Sequence, residues 1–413
     1  MIIPRAAGGL LQDMLKAFPV VAVVGARQVG KSTLVRVPEI GGNRAYQTLD
    51  DFAVLDMARR DPVGLVRQDA LLTIDEVQRC PDLLLAVKRE VDRRPGPGRY
   101  LLTGSADLDH TANLARILAG RVGVLALHPL SWREQERRQG EPALLAWMKA
   151  TKAQQVVRSL QRWRACPFDS GIVCKGGYPP AVTAASARAR QLWFESFRYT
   201  YLERDIRQVS EIGNLADFAR LMEMSATRTA QILNQAALGR DLGMSAATLG
   251  RHLSLLEATF QIERLRPYFT NIGKRLVKSP KLYWRDTGVA AHLLGVEVWR
   301  PAAQSAEHAG PLFETFVMME IRKMLASYAR SARLYFLRTH GGLEVDGLIV
   351  DGQRILPFEI KAAATVRGED AKALQLFLDQ ERRAAIGIVF YTGTDIQRLG
   401  RQVVALPVTA LLA

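Results

Sequence analysis

The sequence predicts an α/β protein of several domains. A parallel sheet comes first, helices with a helix-turn-helix follow, and a second α/β unit ends the chain. Three observations predict this. Residues 20–24 (VVAVV) form an apolar, β-branched run that passes directly into a glycine loop and a helix, the order expected of a buried parallel strand. Residues 70–74 (ALLTI) form another such run, ending in Asp75-Glu76. Near the end, residues 343–350 and 355–361 read as two strands, with Asp351-Gly352 between them as a hairpin signal.

Length and composition bound the class. At 413 residues the chain has room for two to three domains of roughly 150 residues each. A hydrophobic share of 48% with 23% charged residues excludes collagen-like and wholly disordered chains. No run approaches the roughly 18 apolar residues of a membrane span, so no membrane association is expected. Arg5 and the apolar stretch after it imitate a signal peptide, but Asp13 and Lys16 interrupt the run. Cys80, Cys166 and Cys174 share no metal spacing and leave an odd thiol, which predicts a reducing cytoplasm. The net charge of +15 divides into +4 over residues 1–140, +9 over 141–310 and +2 over 311–413. That asymmetry points to a polyanionic partner at the middle third.

In the first third, Gly25-Ala26-Arg27-Gln28-Val29-Gly30-Lys31-Ser32 is a complete G-x-x-x-x-G-K-S, and Thr33 follows in the opening helix. Such a loop wraps backbone amides around phosphate oxygens. Lys31 then reaches the β- and γ-phosphates, and the Ser32 hydroxyl ligates Mg²⁺. Asp75 is placed to hold Mg²⁺ through water and Glu76 to orient or deprotonate the attacking water. Residues 100–102 lead a third strand into Thr103-Gly104-Ser105, a polar tip suited to sensing the γ-phosphate. Arg121, before the strand-like residues 122–127, is a candidate arginine finger for a neighbouring subunit.

The middle third reads as helical from 141 to 225. Trp193, Phe194, Phe197, Tyr201 and Leu202 form an apolar stripe of the core-packing kind. A helix over 229–238, a turn over 239–244 and a second helix over 246–257, N-capped by Ser245, make a helix-turn-helix. Leu249, Leu253 and Leu256 face inward, leaving Thr248, Arg251, His252 and Ser254 outward. Residues 260–265 and 281–284 are expected to pair as a wing, with Asn271, Lys274, Arg275 and Lys278 at its basic tip. Thr248, Arg251, Lys274, Arg275 and Lys278 are the candidate DNA contacts.

In the last hundred residues a helix begins at 311 and carries Glu314. Asp346, Glu359 and Lys361 share one strand face for any even hairpin loop. A two-residue loop sets Asp346 diagonal to Glu359, and a four-residue loop sets them opposite. Two carboxylates buried together need a cation or protons, and Mg²⁺ or Mn²⁺ suits the oxygen set. Pro357 marks an edge or bulge in the second strand.

GARQVGKST, LLTIDEVQR, LLTGSA and LAGRV, in that order, resemble the AAA-type P-loop ATPases of bacteria and archaea that carry a nuclease-like C-terminal domain. The resemblance implies a parallel sheet with the P-loop strand next to the Asp-Glu strand and the sensor strand between the two. It also implies a homo-oligomer with ATP or ADP at subunit boundaries. Gly176-Gly177-Tyr178-Pro179 and residues 201–206 resemble phrases of the family's helical lid. Glu314, Asp346, Glu359 and Lys361 resemble the PD-(D/E)xK core and would be its metal and catalytic positions. The expected domains are a P-loop core (1–140), a helical lid (141–225), a winged helix-turn-helix (226–290) and a nuclease-like domain (291–413). The expected function is a Mg²⁺-dependent ATPase whose nucleotide state controls the winged helix and the nuclease-like domain. Two other readings stay open: a nucleotide-gated binding module with negligible turnover, and an ATP-licensed, metal-dependent DNA nuclease of defence or mobile-element biology.

Overall fold

A computed structural model describes residues 2–105, 116–206, 214–269, 279–300, 306–339 and 341–413. Strands β1 (Val20–Gly25), β2 (Ala45–Thr48), β3 (Leu72–Asp75), β4 (Tyr100–Ser105) and β5 (Val122–Ala126) form a parallel sheet in the order β2-β3-β4-β1-β5. Along β1, Val21 and Val23 enter one apolar core while Val20, Ala22 and Val24 enter another. Both faces are covered, which is why the strand reads as an unbroken apolar run. The P-loop strand is not the neighbour of the Asp-Glu strand: β4 lies between them and pairs with each. The expected adjacency is thereby corrected, and the sensor strand keeps its intermediate place.

In the middle third, β6 (Gln231–Ile232), β7 (Ile262–Leu265) and β8 (Lys281–Trp284) form an antiparallel sheet in the order β6-β8-β7. The first helix of the expected helix-turn-helix is Gln235–Leu242, not 229–238. The Asn234 side chain caps it by accepting the Ala237 amide, while Thr229 is held elsewhere by the Thr315 hydroxyl and the Trp284 amide. The turn contracts to Gly243-Met244, with Gly243 at φ 66°, where a side chain would be strained. Ser245 caps the second helix, Ala246–Ala258, by accepting the Thr248 amide. His252, expected outward, is buried because the helix Leu215–Thr227 covers it, with the Phe218 ring 5.2 Å away. Asn271, Lys274, Arg275 and Lys278 lie outside the described residues.

The last unit is a mixed sheet of β9 (Arg333–Arg338), β10 (Glu344–Asp351), β11 (Arg354–Lys361), β12 (Gly387–Tyr391), β13 (Gln397–Arg398) and β14 (Val403–Pro407), ordered β13-β14-β12-β11-β10-β9. Its helix runs Ala306–Tyr328, with Pro311 inside it and not at its start. Asp351 pairs with Arg354, so the hairpin loop is Gly352-Gln353, one residue later than expected. Continuing that register one step past Gly347↔Phe358 sets Asp346 opposite Glu359 with a two-residue loop. Pro357 is not in an edge strand, since β11 is flanked by β10 and β12. The Ile355 amide reaches Arg383 on the β12 side, and amides two residues apart point the same way. The proline nitrogen therefore faces chain before β12, where the parallel ladder, starting at Phe358↔Ile388, has not begun.

These units share one core. The helix Ala143–Lys149, expected in the lid, packs on the last unit: Trp147 meets Phe390 at 6.1 Å, and the Ala143 amide donates to the Ala413 carbonyl. Arg133 donates to the Leu412 carbonyl at 2.6 Å. Buried Glu320 of the long helix accepts the Trp132 amide at 2.7 Å and the Lys323 ammonium at 2.8 Å.

Candidate functional site

The glycine loop leaves β1 and enters the helix Lys31–Arg36 through Gly30, at φ 95°. A residue with a Cβ is strained there, so the second glycine of the motif is a backbone requirement. Lys31 is buried and donates to the carbonyls of Gly25 and Ala26 at 3.0 and 2.9 Å. Its ammonium therefore lies within the loop, between the strand end and the helix start. Ala26 and Val29 are buried, whereas Gln28 and Thr33 are exposed and Arg27 is half-buried.

Sheet order brings distant hydroxyls to Asp75 at the end of β3. Ser32 Oγ donates to Asp75 Oδ1 at 3.1 Å, and Tyr46 Oη donates to Asp75 Oδ2 at 2.6 Å. Thr103 Oγ1 also donates to Asp75 and accepts the Glu76 amide at 3.2 Å. Burial, then the Asp75 carboxylate, raises Tyr46 above the usual phenol range, so it remains a donor. Glu76 itself sits at φ 59° and accepts from the Gln78 side-chain amide. A non-glycine residue in that region stores roughly 1–3 kcal/mol and is held there by its surroundings.

Ser105 pairs with Gly25 through the backbone, but its side chain lies outside the described residues. Arg121 lies at the opposite end of the sheet from the glycine loop. Its carbonyl accepts the Val20 amide where β1 begins, and its guanidinium pairs with Asp92. It cannot complete the glycine-loop site of its own chain.

Two further features border the loop. Trp193 on the helix Ala187–Thr200 donates to Gln28 Oε1 at 3.1 Å and stacks on Phe197 at 5.2 Å. An open cleft of about 860 Å³ runs alongside, lined among others by Ile2, Ile3, Gly30, Thr33, Ile40 and Pro179. Tyr46, Thr103 and Trp193 had not been assigned to the site. Thr103 belonged to the polar tip, whereas Tyr46 carried no local motif.

At the candidate nucleic-acid surface, Thr248 is half-buried and Arg251 exposed. A separate cleft of about 630 Å³ is lined by Arg264, Arg266, Arg285, Arg322, Arg330 and Arg333, with Glu257 and Glu263. It lies between the middle sheet and the last unit.

The carboxylates of the last unit are arranged differently from the expected metal set. Glu314 accepts from Tyr283 Oη at 2.6 Å and from Lys281 Nζ at 3.2 Å. Lys281 Nζ also lies 3.1 Å from Glu344 and 3.9 Å from Asp346. The Ile360 amide donates to Asp346 Oδ2 at 2.9 Å, and Lys361 lies 3.4 Å from Glu359. Burial, then Asp346, pushes Glu314 up to about 7 and Glu359 up to about 9. Burial alone would lower the Lys281 pKa, but Glu314, Asp346 and Glu344 raise it above its usual value. Among the described residues, no three histidine, cysteine, aspartate or glutamate side chains form a group suited to a metal ion. The expected set of Glu314, Asp346 and Glu359 is corrected accordingly, because an ammonium stands among the carboxylates.

Residues 17–136 match the family described as an AAA domain. Residues 170–299 and 309–411 match two domains of unknown function, DUF8612 and DUF4143. The uncharacterized protein Rv2008c of Mycobacterium tuberculosis is 32% identical over 410 residues, covering 99% of this chain and 84% of the relative. The uncharacterized protein Mb2031c of Mycobacterium bovis matches to the same extent. The chain belongs to their family. In this family member the AAA domain contains the whole five-stranded parallel sheet and the glycine loop. Among solved structures, the Walker-type ATPase PABY2304 of Pyrococcus abyssi is 13% identical, with 71% of this chain and 96% of that one covered at a TM-score of 0.44. A likeness of that size carries no argument. No helix among the described residues is long and apolar enough to cross a membrane.

Proposed function

We propose that the chain is a Mg²⁺-dependent ATPase whose nucleotide state is passed to the helix-turn-helix and the last α/β unit. The observation that carries this reading is the Ser32–Asp75 hydrogen bond at 3.1 Å, which joins the glycine loop to the carboxylate end of β3. A hydroxyl beside a carboxylate suits a hard cation, so Ser32 and Asp75 would hold Mg²⁺, which neutralises phosphate charge when bound. Residues 25–33 cradle the phosphates, with Lys31 exchanging its loop carbonyls for phosphate oxygens. Glu76 orients and deprotonates water, held in place by Thr103, and Ser105 senses the phosphate. Arg121 acts on the site of a neighbouring subunit in a homo-oligomer. The cleft beside Thr33 and Pro179 would receive the base.

DNA is the proposed partner. Arg251, the basic wing tip (Lys274, Arg275, Lys278) and the arginine-lined cleft support this, since phosphate contacts favour clustered arginine and lysine. The decisive experiment measures phosphate release and ATP binding in the same preparation. Glu76→Gln should retain ATP and lose turnover, and Lys31→Ala should lose ATP binding. Turnover at the parental rate in Glu76→Gln would sink the base assignment. ATP binding without turnover in the parent would leave a nucleotide-gated binding module.

A further inference from the structure

The cation within the last unit's carboxylate cluster comes from outside that unit. Lys281 opens β8, the central strand of the middle sheet, and pairs with Ile232 on one side and Leu265 on the other. Its side chain is only 4% exposed. The ammonium reaches Glu314 on the long helix and Glu344 on β10 at 3.2 and 3.1 Å, with Asp346 at 3.9 Å. Tyr283, two residues along the same strand, donates to the same Glu314 oxygen. The Phe336 ring lies 5.6 Å from the ammonium on another side.

A second observation points to unused ligand capacity. Glu359 is 7% exposed, and its Oε1 is buried without a hydrogen-bond partner. Through its other oxygen it faces Lys361. A buried carboxylate oxygen without a donor is costly. Asp346, which the hairpin register sets opposite Glu359, lies between that oxygen's residue and the lysine-held group.

A divalent ion needs carboxylate oxygens roughly 2.0–2.6 Å from one point, and a second cation cannot share a dry pocket with an ammonium. We infer that the Glu314–Asp346–Glu359 cluster is a latent divalent-cation site closed by Lys281, which acts as its resident cation and clasps the middle sheet to the last unit. This inference does not depend on the ATPase reading. Removing the ammonium opens the site.

The test uses the full chain without nucleotide and Mn²⁺ as the probe. Bound Mn²⁺ is counted by loss of the free-ion paramagnetic resonance signal, and thermal midpoints are taken in chelator and in Mn²⁺. Lys281→Met is expected to melt lower than the parent in chelator, to bind one more Mn²⁺ than the parent, and to regain stability with it. Adding Asp346→Asn should remove both the extra ion and the recovery. If Lys281→Met does not fold, Lys281→Met with Glu344→Gln removes one negative charge and should bind the same extra ion. An Asp346-dependent Mn²⁺ in the parent overturns the inference. So does the absence of an extra ion from the folded lysine variants.

Discussion

Trp193 donates its indole N–H to Gln28 Oε1 at 3.1 Å, so a helix from the middle of the chain rests directly on the phosphate loop. Gln28 is itself at φ 60°, a conformation that a bound phosphate and its neighbouring amides would have to preserve or release.

Nucleotide should therefore be visible at Trp193. Adding Mg-ATP is expected to change tryptophan emission in the parent, and Trp193→Phe should remove most of that change while ATP is still bound. An undiminished signal in Trp193→Phe would break the proposed link between loop and helix.

Arg121 and Glu76 should complement each other across subunits. Arg121→Ala is expected to bind ATP normally and to hydrolyse it at least ten-fold more slowly, within the range of a lost arginine finger at about 10³–10⁵. Mixing inactive Arg121→Ala with inactive Glu76→Gln should restore part of the rate, because some shared sites then hold both side chains. A mixture no more active than its components would reduce Arg121 to the partner of Asp92.

Glu320 should be worth more than a surface carboxylate. It is buried, accepts the Trp132 amide and neutralises Lys323. Glu320→Ala leaves that ammonium without its carboxylate and is expected to cost about 3–5 kcal/mol in urea unfolding. Lys323→Met in the same background should recover part of the loss. A loss below about 1 kcal/mol would place the pair with exposed ion pairs.

His252 gives a pH dependence of known sign. Burial lowers its pKa from 6.5, so the unfolded chain takes up the proton first. Its contribution is complete above that pH and is lost as pH falls below it. Between about pH 5.5 and about pH 7.5 the stability of the parent should rise, and His252→Phe should flatten part of that rise. His128 and His292 shift in the same direction, so some slope should persist. An unchanged slope would remove His252 as a contributor.

The glycine loop and the Asp75-Glu76 strand end were legible because their chemistry is local: a glycine at φ 95°, an ammonium and a hydroxyl stand within eight consecutive residues. Tyr46 was not, since only the order of strands brings β2 beside Asp75. His252 failed for a related reason: the helix periodicity defines a face, but the covering helix at Leu215–Thr227 lies 25 residues or more upstream. Thr229 looked like a helix start until its hydroxyl proved to be engaged by Thr315, 86 positions away. The acidic hairpin was legible as a shared face, and the lysine that fills it was not, because nothing local to Lys281 distinguishes it from a surface residue.

The hydrogen bond from Arg133 to Leu412 spans 279 positions of chain. Loops of that length close late and slowly. The domain that carries the glycine loop is therefore buttressed by residues that leave the ribosome long after its own sheet has been made. A nascent chain halted before residue 408 should present a soft nucleotide site, and maturation of that site should follow completion of synthesis, not progress along it.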